Sequence, residues 1–174
     1  SKVQAPEAKP YLAGELAFFQ RSLEEWLGQP IRNEQLDRAI EVYNTYRRLL
    51  RQIYDMRRRQ RPPLNGAEAM AMVLSSQLMD KEEHNRLLAD ALKELPEKGN
   101  QEGVRLMLLG SENDDIDMVR LTESLGGLVV VDEHCTGSRY FWNEVAPNQD
   151  RLASIAARYL DRPACPMRDY ESRQ

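Results

Sequence analysis

Cysteine is scarce: Cys135 and Cys165 are the only two in 174 residues. So few exclude a disulfide-stapled secreted domain, and without CxxC spacing they do not make a zinc site. A basic excess is also lacking. Lys+Arg number 24 against Asp+Glu 28, with a pI near 5.4, which argues against a nucleic-acid partner, because polyanion binders carry a net positive surface. No apolar run approaches the roughly 18 residues that span a bilayer, and the opening "SKVQAPEAKP" has no signal-peptide core. The chain is therefore read as cytoplasmic, with no membrane partner. The first residue is Ser, not Met, consistent with a processing or cloning remnant and with a piece of a longer protein.

What is present divides by period. Hydrophobic residues make up 41%, enough for one ordinary domain or two small ones. From about Tyr11 to Leu95 the pattern is helical. One helix carries Leu16, Phe19, Leu23 and Trp26 and ends at Gly28. A longer one follows, with Leu36, Ala39, Ile40, Tyr43, Tyr46, Leu50, Ile53 and Tyr54 at steps of three and four, Asn33 as N-cap, and Pro62 and Pro63 as the stop. Two more are expected at Ala67 to Leu78 and Lys81 to Leu95. The basic run Arg57 to Arg61 is read as the solvated end of the long helix, where cations complement its dipole, with a phosphate-docking patch as the alternative.

After "PEKGNQEG" the pattern becomes "VRLMLLGS", "DDIDMVRLTESLGG", "LVVVDEHC" and "DRLASIAARYLDRPACP". These read as strand, amphipathic helix, strand and helix, and the almost wholly apolar strands indicate a parallel sheet covered on both faces. The expected fold class is α/β: a helical segment over residues 1–98, then over 99–174 the first half of a Rossmann-like (flavodoxin-like) β-α-β-α unit. Two strands would leave unpaired edges and wet apolar surface. The sheet is accordingly expected to continue beyond Gln174 or to be completed by a neighbour.

Ligands in open α/β sheets bind beyond the carboxyl ends of the strands. The first such end, "LLGSENDD", holds Gly110 and Ser111 but lacks GxGxxG, so a nicotinamide or flavin is disfavoured, and Ser111 or Asn113 is read as a helix cap. The second end runs from Asp132 to Arg139 and concentrates thiol, hydroxyls, glycine and guanidinium. His134 is poorly placed to deprotonate the adjacent Cys135 if the strand persists, since neighbouring side chains point to opposite faces. His84, in "DKEEHNR", is read as a solvated surface residue, and Cys165, in "RPACP", as packed in a turn. Tyr140, Phe141 and Trp142 are read as packing residues.

"DEHCTGSRYF", with "RLMLLGSENDD" upstream and "ARYLDRPACP" downstream, resembles the subunits of the 2-hydroxyacyl-CoA dehydratase and benzoyl-CoA reductase family. "LEEWLGQPI", "AIEVYNTYRRLLRQIYDMRR" and "LNGAEAM" follow the same order, so the resemblance extends from Leu23 to Pro166. It implies one of a pair of related subunits, an acyl-CoA substrate, a 4Fe-4S cluster in the full-length subunit, and ATP used only through a separate electron-transferring activator. The reaction would be loss of water from a 2-hydroxyacyl-CoA or reduction of the benzoyl-CoA ring, the latter preferred on overall look. Two cysteines do not make a cluster site in this stretch, so no metal is expected here. Cys135, Ser138 and Arg139 are the catalytic candidates; Thr136, Gly137, Gly110 and Ser111 are the substrate-binding ones. In that reading Gly137 turns the backbone, Thr136 or Ser138 donates to a thioester oxygen or cluster sulfur, and Arg139 binds a carbonyl or CoA phosphate. The plainer alternative has Arg139 paired with Asp132 or Glu133 and Ser138 capping the next helix. At the level of function, the alternative is a non-catalytic acyl-CoA-binding or subunit-interaction scaffold.

Overall fold

The computed structural model describes residues 5–97, 101–146 and 148–163. In chain order these form α1 (Ala8–Leu27), α2 (Asn33–Met56), α3 (Gly66–Leu78), α4 (Lys81–Glu94), a 3-10 turn (Leu95–Glu97), β1 (Val104–Leu109), α5 (Ile116–Ser124), β2 (Gly127–Glu133), the single turn α6 (Ser138–Phe141) and α7 (Arg151–Leu160). Cys165 and the turn expected around it lie outside the described residues.

Local chemistry sets most boundaries. Gly28, at φ 67°, closes α1 in the left-handed region that glycine adopts without a Cβ penalty. Asn65 and Glu68 form a reciprocal capping box on α3, and Asp80, Asp115 and Asp150 cap α4, α5 and α7. Two expected caps are displaced. Asn33 is the first residue of α2, and the Arg32 carbonyl accepts from Leu36 N at 3.2 Å. At α5 the cap is Asp115, not Ser111 or Asn113, whose Oδ1 instead accepts from Asp115 N at 3.1 Å. α2 also stops before the prolines. Arg57, Arg58 and Arg59 donate to carbonyls three residues back, the tightening that ends a helix when the chain must turn.

The chain divides into two compact units, Thr45–Trp142 and the combination of Ser1–Asn44 with Asn143–Gln174. In the latter, α1 packs along α7, and Arg151 grips Asp37 by a forked contact at 2.8 and 2.9 Å. The Asn44 side chain bonds both backbone polar groups of Val145, at 2.9 and 3.0 Å. A hollow of about 840 Å³ lies between α1, α7 and Asn143, Glu144, Ala146 and Asn148, with Lys9 and Asp161 paired beside it.

Thr45–Trp142 holds the sheet. β1 and β2 are parallel, Leu106 opposite Val129 and Met107 opposite Val131, so Val130 is an extra residue that bulges β2. One face, with Leu106, Leu108 and Val129, packs on Ala67 and Met70 of α3 and on Val119 of α5. A second core gathers Tyr46, Leu50, Ile53 and Tyr54 of α2 with Leu64, Val73, Leu88, Leu95 and Phe141. Coverage of both sheet faces, expected from the apolar strands, is complete on this side and partial on the other among the described residues: Leu128, opposite Arg105, is buried there. Met107 is 53% exposed, Leu109 62% and Val131 41%.

Glu123 ties α5, α3 and β2 together. Its carboxylate accepts from Gly66 N at 2.6 Å, Ala67 N at 3.3 Å and Val129 N at 3.1 Å, placing negative charge at the positive end of α3. A Cβ on Gly66 would stand 2.5 Å from Val129 Cβ. Gly66→Ala is therefore expected to destabilise the chain by roughly 1–3 kcal/mol, the usual cost of overpacking, read as a lower urea midpoint at unchanged slope.

Candidate functional site

The carboxyl ends of β1 and β2 are stitched into one layer. Gly110 N donates to Glu133 O at 3.4 Å, and Cys135 N donates to Ser111 O at 2.6 Å. Thr136 Oγ1 accepts from Asn113 N at 3.1 Å and donates to Asn113 O at 2.5 Å. The residues singled out from the sequence, Gly110, Ser111, Cys135, Thr136, Gly137, Ser138 and Arg139, thus come together.

Asp132, 3% exposed, is the hub. Its carboxylate accepts from Tyr54 Oη at 2.8 and 3.0 Å, from Arg57 Nη1 at 2.8 Å and from Ser138 N at 3.0 Å. Arg57 is fully buried, donates through Nη2 to Val129 O at 2.8 Å, and lies over the Tyr54 ring at 4.4 Å. Burial, with the Asp132 charge alongside, holds the Tyr54 hydroxyl well above its ordinary pKa, so it stays a donor. The loop wraps so closely that a Cβ on Gly137 would stand 2.5 Å from Asp132 Oδ1 and 2.9 Å from His134 Cε1. Only glycine leaves room for the carboxylate there.

Arg139 is 5% exposed, and its Nη2 donates to the carbonyls of Gly110 and Ser111. Its Nε and Nη1 have no hydrogen-bond partner among the described residues. His134, 2% exposed, contacts Thr136 Oγ1 through Nδ1 at 3.1 Å, while its Nε2 has no partner among those residues. Desolvation depresses the His134 pKa, Arg139 and Arg57 add to the effect, and Asp132 opposes it. Cys135 is half-buried.

Several expectations change. Arg139 does not pair with Asp132 or Glu133, because the Asp132 carboxylate is already filled by Arg57, Tyr54 and Ser138. Ser138 does not cap α6; Gly137 holds that position, and Ser138 Oγ donates to Asp132 O at 2.7 Å. Thr136 and Ser138, expected to donate to a ligand, spend their hydroxyl protons on backbone carbonyls. Arg57 is not a solvated helix end but the buried partner of Asp132. His84 is buried at 2% exposure, with Ser75 Oγ 3.0 Å from its Nε2. Tyr140 and Phe141 do pack, on Tyr46 and Tyr54, whereas Trp142 is 41% exposed. Tyr54, Arg57 and Asn113 are site-builders that sequence reasoning does not single out. Spacing carries a signal for Arg57, which follows Ile53 and Tyr54 by four and three positions on the buried stripe.

A four-iron cluster is ordinarily held by four thiolates. Among the described residues Cys135 is the free cysteine, and no group of three or more His, Cys, Asp or Glu is placed to hold a metal ion. That donor set does not fit a cluster by itself.

Residues 2–174 match the family model described as "2-hydroxyglutaryl-CoA dehydratase, D-component". The chain belongs to this family. Among curated relatives of this dehydratase-family chain, a benzoyl-CoA reductase subunit of Thauera aromatica is 24% identical over 168 residues, 94% of this chain and 44% of the relative. The (R)-phenyllactyl-CoA dehydratase beta subunit of Clostridium sporogenes is 23% identical over 169 residues, 95% of this chain and 45% of the relative. A putative dehydratase subunit, YjiM, of Escherichia coli (strain K12) is 29% identical over 157 residues, 84% of this chain and 40% of the relative. The chain thus spans less than half the length of these relatives. No helix among the described residues is long and apolar enough to cross a membrane.

Asp132→Asn leaves the Arg57 guanidinium buried without its counter-charge and is expected to cost about 3–5 kcal/mol, measurable by urea unfolding. Paired replacement, Arg57→Met with Asp132→Leu, is expected to recover part of that loss. Burial also lowers the pKa of both His84 and His134 from the usual 6.5. The unfolded chain then binds protons that the folded one refuses, so stability is full above about pH 6.5 and declines as pH falls toward the folded pKa values. Urea midpoints should fall from about pH 7.5 to about pH 5.5, less so once both histidines are replaced by uncharged residues.

Proposed function

We propose that the chain is a segment of one subunit of an acyl-CoA dehydratase or reductase, with the joined ends of β1 and β2 gripping the polar end of an acyl thioester. The supporting observation is Arg139: a buried cation with two nitrogens unpartnered among the described residues, at the strand ends where α/β folds bind ligands. A charge-assisted donor at a thioester carbonyl stabilises negative charge developing on its oxygen. The Gly110 carbonyl fixes the far side of the guanidinium, so little reorganisation is needed when that charge appears. Cys135, half-buried, donates its backbone N–H to the Ser111 carbonyl that Arg139 also reaches. We assign the parallel β-α-β unit to the start of a Rossmann-like domain, and the 4Fe-4S cluster, the sister subunit and the ATP-hydrolysing activator to parts of the complex outside the described residues.

A second reading, a non-catalytic acyl-CoA-binding or subunit-interaction scaffold, draws on the hydroxyls of Thr136 and Ser138, both committed to backbone carbonyls.

The test is anaerobic purification of the full-length subunit with its sister and activator, followed by assays with benzoyl-CoA and with 2-hydroxyacyl-CoA. Turnover of either, with about four iron and four sulfide per cluster-bearing chain, is the expected result. Arg139→Ala should lower that turnover tenfold or more, about 1.4 kcal/mol per decade. A folded complex with neither iron nor turnover would favour the scaffold. Unchanged kinetics in Arg139→Ala would make the arginine a brace for Gly110 alone.

A further inference from the structure

The hydrogen bonds around Thr136 fix a proton on His134. The Thr136 hydroxyl has one hydrogen, given to Asn113 O, and also accepts from Asn113 N. Its contact with His134 Nδ1 at 3.1 Å is therefore donated by the ring. In the neutral imidazole this leaves Nε2 a bare lone pair. His134 is only 2% exposed, and Nε2 has no partner among the described residues. Cε1, between the two ring nitrogens, abuts Gly137, so the polar edge of the ring faces the turn that leads to Arg139. Arg139 offers only donors, and two of its nitrogens are likewise unpartnered there. An acceptor and a donor, both buried and both unmatched, thus occur in one tight loop.

The geometry points to His134 as a ligand-binding residue: Nε2 accepts a hydrogen bond from a donor group of an acyl-CoA, while Arg139 donates to the carbonyl oxygen beside that group. This rests on the acyl-CoA reading above. The required chemistry is a proton donor next to a carbonyl. An acyl-CoA carries that pair in two places, the 2-hydroxyl beside the thioester carbonyl of a 2-hydroxyacyl group and the amides of the pantetheine arm. A hydrocarbon chain or an unsubstituted ring offers His134 nothing. Leaving a buried acceptor unmatched in the complex is costly, so the site discriminates against ligands without the donor.

Two substitutions separate this role from a purely local one. His134→Asn places an amide N–H where Nδ1–H stands, keeping the Thr136 contact and deleting the Nε2 acceptor. His134→Gln places an amide oxygen near Nε2 and gives up the Thr136 contact. Binding of a 2-hydroxyacyl-CoA and of the matching acyl-CoA without the hydroxyl would be measured by calorimetry. The full-length complex would be kept anaerobic and without activator so that no turnover occurs, with melting temperatures taken alongside. We expect His134→Asn to melt near the wild type but to bind at least one ligand about tenfold more weakly. His134→Gln should melt lower yet bind within about threefold of wild type. Weakening confined to the hydroxylated ligand assigns the donor to its hydroxyl; equal weakening for both assigns it to a pantetheine amide. Wild-type affinity in His134→Asn for both ligands, or rescue by Asn and not by Gln, overturns the inference and leaves His134 a latch for Thr136. If the wild-type complex binds neither ligand, the acyl-CoA reading fails and this inference with it.

Discussion

The buried pair of Arg57 and Asp132 organises the sheet end. Arg57 enters from the turn after α2 and satisfies both the carboxylate at the end of β2 and the Val129 carbonyl within it. Removing either partner would strand a charge away from water, so the helix exit, the strand and the loop are obliged to form together. Tyr54 fills part of the remaining capacity of the carboxylate with its hydroxyl and supports the guanidinium with its ring. Ser138 N takes another lone pair, which fixes where α6 begins. The turn carrying Arg139 is thus held by an ion pair assembled from residues far apart in the chain.

The order of elements is legible in the sequence because periodicity reports one-sided burial. Glycine ends a helix for reasons that need no tertiary information, as at Gly28, whereas the α5 cap falls at Asp115, past the Ser111 or Asn113 that the sequence suggests. The site's location is legible as well, since the residues from Asp132 to Arg139 are too polar for the interior of a buried strand. Their partners are not. Arg57 sits in a run of arginines that reads as a solvated helix end, and nothing local says that one of them points inward. His84 escapes for a similar reason: its neighbours in α4 are polar, but the helix turns His84 toward Ser75 of α3. The roles of Thr136 and Ser138 are hidden too, because a hydroxyl's preference for a backbone carbonyl depends on which carbonyl the fold brings near.

The placement of charge in the loop follows a simple division. The anionic position is filled from the helix side by Arg57 and Tyr54, so Arg139 is left without a carboxylate and turns to the β1 end. Burial lowers the pKa of the His134 ring against the pull of Asp132, and Arg139 and Arg57 add to the lowering. With Nδ1–H given to Thr136, the neutral ring keeps a buried acceptor at Nε2. The polar character of the loop is therefore narrower than its composition suggests.

The extra residue in β2 makes residue count a structural quantity. Val129 and Asp132, three apart, lie opposite Leu106 and Leu108 on one face only because Val130 is unpaired. Removing a single residue from Val129–Val131 would not merely shorten the strand. It would reverse the parity of everything after it, turning Asp132 away from Arg57 and sending Glu133 inward in its place. Natural variation in this stretch should therefore run to substitutions at constant length.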